Sequence, residues 1–128
     1  METEIEIAVC ITLLIVGLSH ALHPRAWVDF FIRLREKGGA GVFAIALMHL
    51  PLAMLVIAFH NRWSLSASVV VTLLGWCSML KAAIYLTVPR VGRMSLATVR
   101  PERAIGFVIA GLVSMALASV VGYGLLRR

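Results

Sequence analysis

The sequence predicts an all-α membrane protein whose four transmembrane helices form two parallel-repeat hairpins. Three observations carry this prediction: an apolar composition, charges confined to short segments, and an internal repeat. Of the 128 residues, 61% are hydrophobic and 14% are charged, whereas a soluble domain is about half apolar and about a quarter charged. A helix needs about 20 apolar residues to cross a bilayer core. Such segments lie at about 7–23, 41–59, 66–88 and 104–126, and together they make a single integral membrane domain over 1–128.

The first span follows three acidic residues, Glu2, Glu4 and Glu6. A secretory signal peptide begins with a positively charged segment, so we expect this helix to be kept as a membrane span. Pro24 marks its end, because proline disfavours helical backbone at the residue before it.

The connection after the first span reads RAWVDFFIRLREK, with apolar and charged side chains on opposite sides at helical spacing. This pattern predicts a short amphipathic helix over about 25–37, lying in the membrane interface. Arg25 and Trp27 are predicted interfacial anchors, and so is Arg90 in the later connection. That connection, RVGRMSLATVR, has no apolar stripe, so a helix and an irregular loop both stay open there.

A shift of 65 residues aligns Pro24 with Pro89 and Gly41 with Gly106, among nine identities in all. We interpret this self-similarity as two copies of one unit. Each unit consists of a helix, a Pro-Arg pair where the chain leaves the membrane, a basic segment and a return helix. Each copy has two spans, so both copies have the same orientation, unlike inverted transporter repeats. The copies extend over about 4–63 and 66–128.

The first exit carries a motif, Gly-Leu-x-x-x-Leu-x-Pro-Arg-Ala-Trp, formed by Gly17, Leu18, Leu22, Pro24, Arg25, Ala26 and Trp27. It resembles a family of very small bacterial inner-membrane proteins that are about one hairpin long and have no assigned function. The resemblance covers residues 10–58. It implies a bacterial hairpin, duplicated in this chain, and it supplies no active-site residues.

The basic residues concentrate on one side of the predicted membrane. Eight Lys and Arg residues lie in connections 24–40 and 89–103, against three on the opposite side. By the positive-inside rule these connections face the cytoplasm, which places both termini in the periplasm of a bacterial inner membrane. This orientation accounts for the net charge of +6, and no nucleic-acid partner is expected.

Polar side chains at membrane depth are costly and mark candidate functional sites. Lys81 lies on one side of the third span with Ser78 and Tyr85, at helical spacing. His49 lies at a similar depth on the second span, and Ser114 is the residue that the repeat aligns with His49. We predict that these five form an intramembrane polar cluster, although a purely structural role for His49 and Lys81 stays open. No acid lies at the depth of Lys81, so a counter-charge would come from another subunit, a lipid headgroup or an anionic ligand.

The last span has small residues at every fourth position, a pattern that lets helices approach closely. The predicted packing stripe consists of Gly106, Ala110, Ser114, Ala118 and Gly122.

His20 and His23 lie near the end of the first span. Haem would need a facing axial ligand at matching depth, and His49 lies about 6 Å deeper by helical rise. Zinc would need three or four ligands. We therefore expect His20, His23 and His60 to be interfacial anchors, and we predict no metal or cofactor.

The chain has none of the metalloprotease, hydrolase, P-loop or dinucleotide motifs, and its connections are short, so an enzyme is not expected. We expect an accessory or interaction subunit of a larger membrane assembly. Its partners would be the lipid bilayer and other membrane subunits or further copies of itself. One alternative is an oligomeric small transporter or channel with a Lys/His-lined, anion- or proton-linked path, and a lesser one is a haem-binding membrane cytochrome.

Overall fold

The computed structural model describes residues 1–127, and within them the fold is entirely helical. Four helices are long and apolar enough to cross a membrane, which confirms the four predicted spans. Two short helices and a 3-10 turn connect them on one side. In chain order the elements are α1 (Glu2–Leu22), α2 (Pro24–Glu36), α3 (Gly39–Phe59), α4 (Ser68–Thr87), α5 (Pro89–Ala97), the 3-10 turn (Pro101–Arg103) and α6 (Ile105–Leu126).

The two short helices begin at Pro24 and Pro89, which occupy the first helical position. Proline suits this position because its missing N–H has no partner there in any case. The amphipathic helix expected near 25–37 is present as α2, and the connection that was left open is also a helix, α5. Both short helices lie at one end of the bundle, here named the basic end. The opposite end holds the chain termini and the 60–67 connection, and is named the terminal end.

The long helices pack as two pairs, α1 with α6 and α3 with α4. The two spans within each predicted repeat unit contact each other only slightly. Small residues set the closest approach in both pairs. A Cβ atom on Gly17 would lie 2.8 Å from the carbonyl oxygen of Gly111, and Ala46 and Ala82 are fully buried between α3 and α4.

Only some residues of the predicted small-residue stripe on α6 contact α1. The stripe residues that lie against α1 are Ser114, Ala118 and Gly122. The tightest contact is made by Gly111, which the stripe omits. Gly106 and Ala110 instead line a cavity. A four-residue step advances a straight helix by about 40° beyond a full turn, so such a stripe winds away from any single neighbour.

The apolar core has two parts. At the terminal end, one cluster joins all four spans through Ile5, Val9, Val56, Val71 and Val121. At the basic end, a second cluster joins α3 and α4 to the short helices through Leu34, Val42, Ile45, Ala46, Ala82, Tyr85 and Leu96. No residue of α1 or α6 belongs to the second buried cluster. The two helix pairs are therefore held together at the terminal end and leave space between them toward the basic end.

His60, which the sequence predicts to be an interfacial anchor, is buried inside the protein. Its side chain is 0% exposed, and its Nε2 lies 2.7 Å from Oε1 of Glu6, which is 2% exposed. Thr72 donates to the backbone oxygen of His60 across 3.2 Å. Next to this cluster, Arg62 pairs with Glu2 at 2.7 Å. The acidic face of α1 thus holds the 60–62 segment at the terminal end, a tertiary contact that a local pattern does not reveal.

Candidate functional site

A cavity of about 610 Å³ lies between the two helix pairs. This volume is within the usual range for small-molecule pockets. Most of its wall is apolar, with Leu13 and Val16 of α1 facing Ile45, Met48 and Leu52 of α3. The cavity is present because the basic-end core leaves out α1 and α6.

His49 and Lys81 meet on the wall of this cavity. The Nδ1–H group of His49 donates to the carbonyl oxygen of Ile45 across 2.8 Å. A carbonyl oxygen only accepts hydrogen bonds, so the proton lies on Nδ1 and Nε2 is left as an acceptor. The Lys81 ammonium lies 3.4 Å from this Nε2 and 5.6 Å from the ring centroid of Tyr85. His49 and Lys81 are therefore in contact across α3 and α4, and Ser78 lines the same cavity.

Ser114 does not join this polar cluster. Its hydroxyl donates to the carbonyl oxygen of Ala110, one turn back on α6, across 2.9 Å. Its Cβ lies at the Gly17 contact with α1. Ser114 is the repeat counterpart of His49, but the two side chains do not lie together. On α6 Ser114 faces α1, whereas on α3 His49 faces α4.

Two arginines line the cavity at the basic end. Arg100 precedes the 3-10 turn before α6 and Arg103 is the last residue of that turn, and Thr98 and Val99 line the same cavity. Arg35 of α2 donates to the carbonyl oxygen of Val99 across 3.0 Å and so fixes this segment. The sequence assigned Arg100 and Arg103 only to membrane orientation. The sequence shows that both arginines precede the last span, but it does not show that they line the same cavity as Lys81, because that depends on which helices pack together.

The three cations of the cavity have no acidic partner within residues 1–127. No carboxylate oxygen lies within 4.0 Å of Lys81, Arg100 or Arg103. The ion pairs of the described chain all involve glutamates of α1 at the terminal end. The basic side chains of the cavity therefore lie beside apolar walls without an acidic counterpart among the described residues.

Aromatic rings form the wall that joins α1, α2 and α6. The His20 ring stacks on Trp27 with centroids 4.0 Å apart, and its other neighbour is Phe107 at 5.6 Å. Phe31 stacks on Phe107, also at 5.6 Å, and the Trp27 indole donates to the Ser19 hydroxyl across 2.9 Å. Trp27 and His20, both expected to be interfacial anchors, are thus part of the cavity wall.

The other predicted anchors lie outside the cavity. Arg25 and Arg90 are exposed in the first turns of α2 and α5, and His23 is exposed between α1 and α2. Among the residues that the structure describes, no group of three His, Cys, Asp or Glu side chains is arranged to hold a metal ion.

No protein-family model, curated protein or solved structure matches this chain.

Proposed function

We propose that this membrane protein binds an organic anion with an apolar body in the cavity between its helix pairs. One observation carries the proposal: Lys81, Arg100 and Arg103 line a single cavity, and no carboxylate of residues 1–127 pairs with them. A cleft that is lined by one sign of charge and has low-dielectric walls concentrates ions of the opposite sign. An anion in this cavity supplies the missing counter-charge.

The apolar walls favour an organic ligand over a small inorganic anion. A bare inorganic anion would lose its hydration beside Leu13, Val16 and Met48 without enough donors to replace it. Organic ligands suit a site of this kind, in which apolar walls bury the body of the ligand and a few polar groups fix its orientation.

This function corresponds to the anion-linked path of the transporter or channel alternative. The expectation of an accessory subunit rested partly on a Lys81 without a partner. His49 supplies a hydrogen-bond acceptor for Lys81 but no negative charge, so the missing counter-charge supports an anionic ligand as well as an acidic group of another subunit. The accessory role, self-association and the non-enzymatic character stay predictions.

The orientation and the repeat also belong to this proposal. The eight-to-three distribution of basic residues supports placing the basic end in the cytoplasm and the termini in the periplasm of a bacterial inner membrane. Two short helices that begin with proline 65 residues apart support an internal duplication. In this orientation the arginine-lined part of the cavity lies on the cytoplasmic side.

Titration calorimetry of the purified chain in a non-ionic detergent tests the proposal. Decanoate should bind saturably, whereas decanol, which has the same chain and no charge, should show only partition into micelles. A double variant, Arg100→Gln with Arg103→Gln, should weaken decanoate binding by at least about tenfold, which corresponds to 1.4 kcal/mol.

The matched control is Arg90→Gln with Arg93→Gln, which removes the same net charge outside the cavity. It should bind like the wild type. Equal weakening by both double variants would mean that net charge attracts decanoate to the micelle surface, and it would contradict a site in the cavity.

A further inference from the structure

We infer that the ligand is an elongated dianion, with one acidic group at each end of an apolar middle. This inference rests on the proposed function and names its ligand class. It follows from the way the cationic groups are divided between two separate positions in one cavity.

The first position is on α4, where Lys81 meets His49. An ammonium group has three N–H donors. The contact with His49 Nε2 uses one of them, which leaves two for an anion. Ser78, one turn away on the same wall, adds a hydroxyl donor. His49 is itself held by its bond to Ile45, so this position is organised before any ligand enters.

The second position is at the basic end, where Arg100 precedes a single 3-10 turn and Arg103 is the last residue of that turn. A guanidinium presents several N–H donors in a planar fork that matches a carboxylate or a phosphate. The bond from Arg35 to Val99 fixes the neighbouring backbone. The backbone of this position is therefore held by α2, while the two arginine side chains are exposed.

The backbones of the two positions lie at different depths of the bundle, since Lys81 is within α4 and Arg100 is in the connection before α6. Lys81 lies six residues before Thr87, where α4 ends at the basic end, which is about 9 Å at the rise of an α-helix. The same cavity is also lined by apolar side chains such as Val16, Ile45 and Phe107. A monoanion neutralises one position and leaves the other cation unpaired. A ligand with a charge at each end satisfies both and covers the apolar wall with its middle.

A matched ligand series tests this inference in the full-length protein. Suberate and octanoate have the same number of carbons, and suberate differs by a second carboxylate at the far end. Suberate should bind with a Kd at least about tenfold lower, the factor that 1.4 kcal/mol supplies, although it is the more water-soluble ligand. Succinate, which is too short to reach both positions, should lose this advantage.

An alkyl phosphate separates the number of charges from their spacing. Octyl phosphate concentrates its charge at one end, so it should bind more weakly than suberate. If octyl phosphate equals or exceeds suberate, then the site recognises a single densely charged headgroup, as in a lipid phosphate, and the two-position inference is wrong.

Variants at the two positions test which residues bind each charged end of the ligand. Lys81→Met should abolish the preference for suberate over octanoate while octanoate still binds at the arginines. The Arg100→Gln, Arg103→Gln double variant should likewise abolish the preference, whereas the Arg90→Gln, Arg93→Gln control should keep it. Equal affinities of suberate and octanoate for the wild type would overturn the inference and leave the proposed function intact. Failure of the wild type to bind any of these anions would overturn the proposed function itself.

Discussion

Replacement of Gly111 by alanine tests the packing of α1 on α6. A Cβ atom at Gly111 would lie 2.8 Å from the backbone nitrogen of Ala21, 3.0 Å from Cβ of His20, and closer still to the carbonyl oxygen of Gly17. Two of these atoms belong to the backbone of α1 and cannot rotate away. Relief of the contact therefore requires the helices to separate by about 0.5–1 Å, and overpacking of this kind costs about 1–3 kcal/mol.

Two glycines of the same helix provide matched controls. A Cβ at Gly106 would meet no atom within 4 Å, and one at Gly122 would make an ordinary contact of 3.5 Å with Sγ of Cys10. Alanine is favoured over glycine within a helix by about 0.5–1 kcal/mol, and all three variants gain this helix propensity. We expect Gly106→Ala and Gly122→Ala to be neutral or stabilising, and Gly111→Ala to be less stable than either by about 1–3 kcal/mol.

Unfolding of the three variants in mixed micelles, followed by circular dichroism as the fraction of SDS rises, measures this difference. A surface substitution typically changes the free energy of unfolding by up to about 0.5 kcal/mol. If Gly111→Ala and Gly122→Ala differed by no more than this, the close α1–α6 contact would be refuted.

Two further predictions concern the terminal end and the orientation. Glu6→Ala leaves Nε2 of the buried His60 without its hydrogen-bond partner and should lower the free energy of unfolding by about 1–3 kcal/mol. Glu6→Gln keeps a hydrogen-bonding group and should lose less than half of that, and equal losses in the same SDS titration would contradict the argument from the hydrogen bond. In a background without native cysteines, Arg35→Cys should react with an impermeant maleimide only from the cytoplasmic side and Ser64→Cys only from the periplasmic side. Labelling of Arg35→Cys in intact cells would reverse the proposed orientation.

The four spans and the first short helix follow from the sequence because they depend on local properties. Apolar segments of bilayer length and Pro24 define the first span without reference to any other part of the chain. The contact between His49 and Lys81 was also predictable, since both lie at similar depth and few polar partners exist there. The spans and the first short helix require no knowledge of which helices pack together, whereas the His49–Lys81 contact also needs α3 to pack on α4.

The remaining features depend on helix pairing, which the sequence pattern did not reveal. The prediction for Ser114 used the repeat, but α6 packs on α1 and turns this residue away from Lys81. His60 was interpreted from its polar neighbours, whereas its burial depends on Glu6, 54 residues away. Arg103 lines the cavity only because the two helix pairs separate at the basic end. Local patterns predicted the four spans and α2, and long-range packing determined which side chains converge.

The central claim is that an organic anion occupies the cavity beside Trp27, and tryptophan fluorescence tests it directly. Trp63 and Trp76 both donate to Asn61 at the terminal end, away from the cavity. Bromine quenches tryptophan emission on contact, so ω-bromodecanoate reports which indole it touches. In the variant that carries Trp63→Phe and Trp76→Phe, quenching of Trp27 should be saturable and should be reversed by unlabelled decanoate. In Trp27→Phe, the two remaining indoles should show only weak, non-saturable quenching. Equal quenching in both variants, or quenching of Trp27 that decanoate does not reverse, would contradict binding in the cavity.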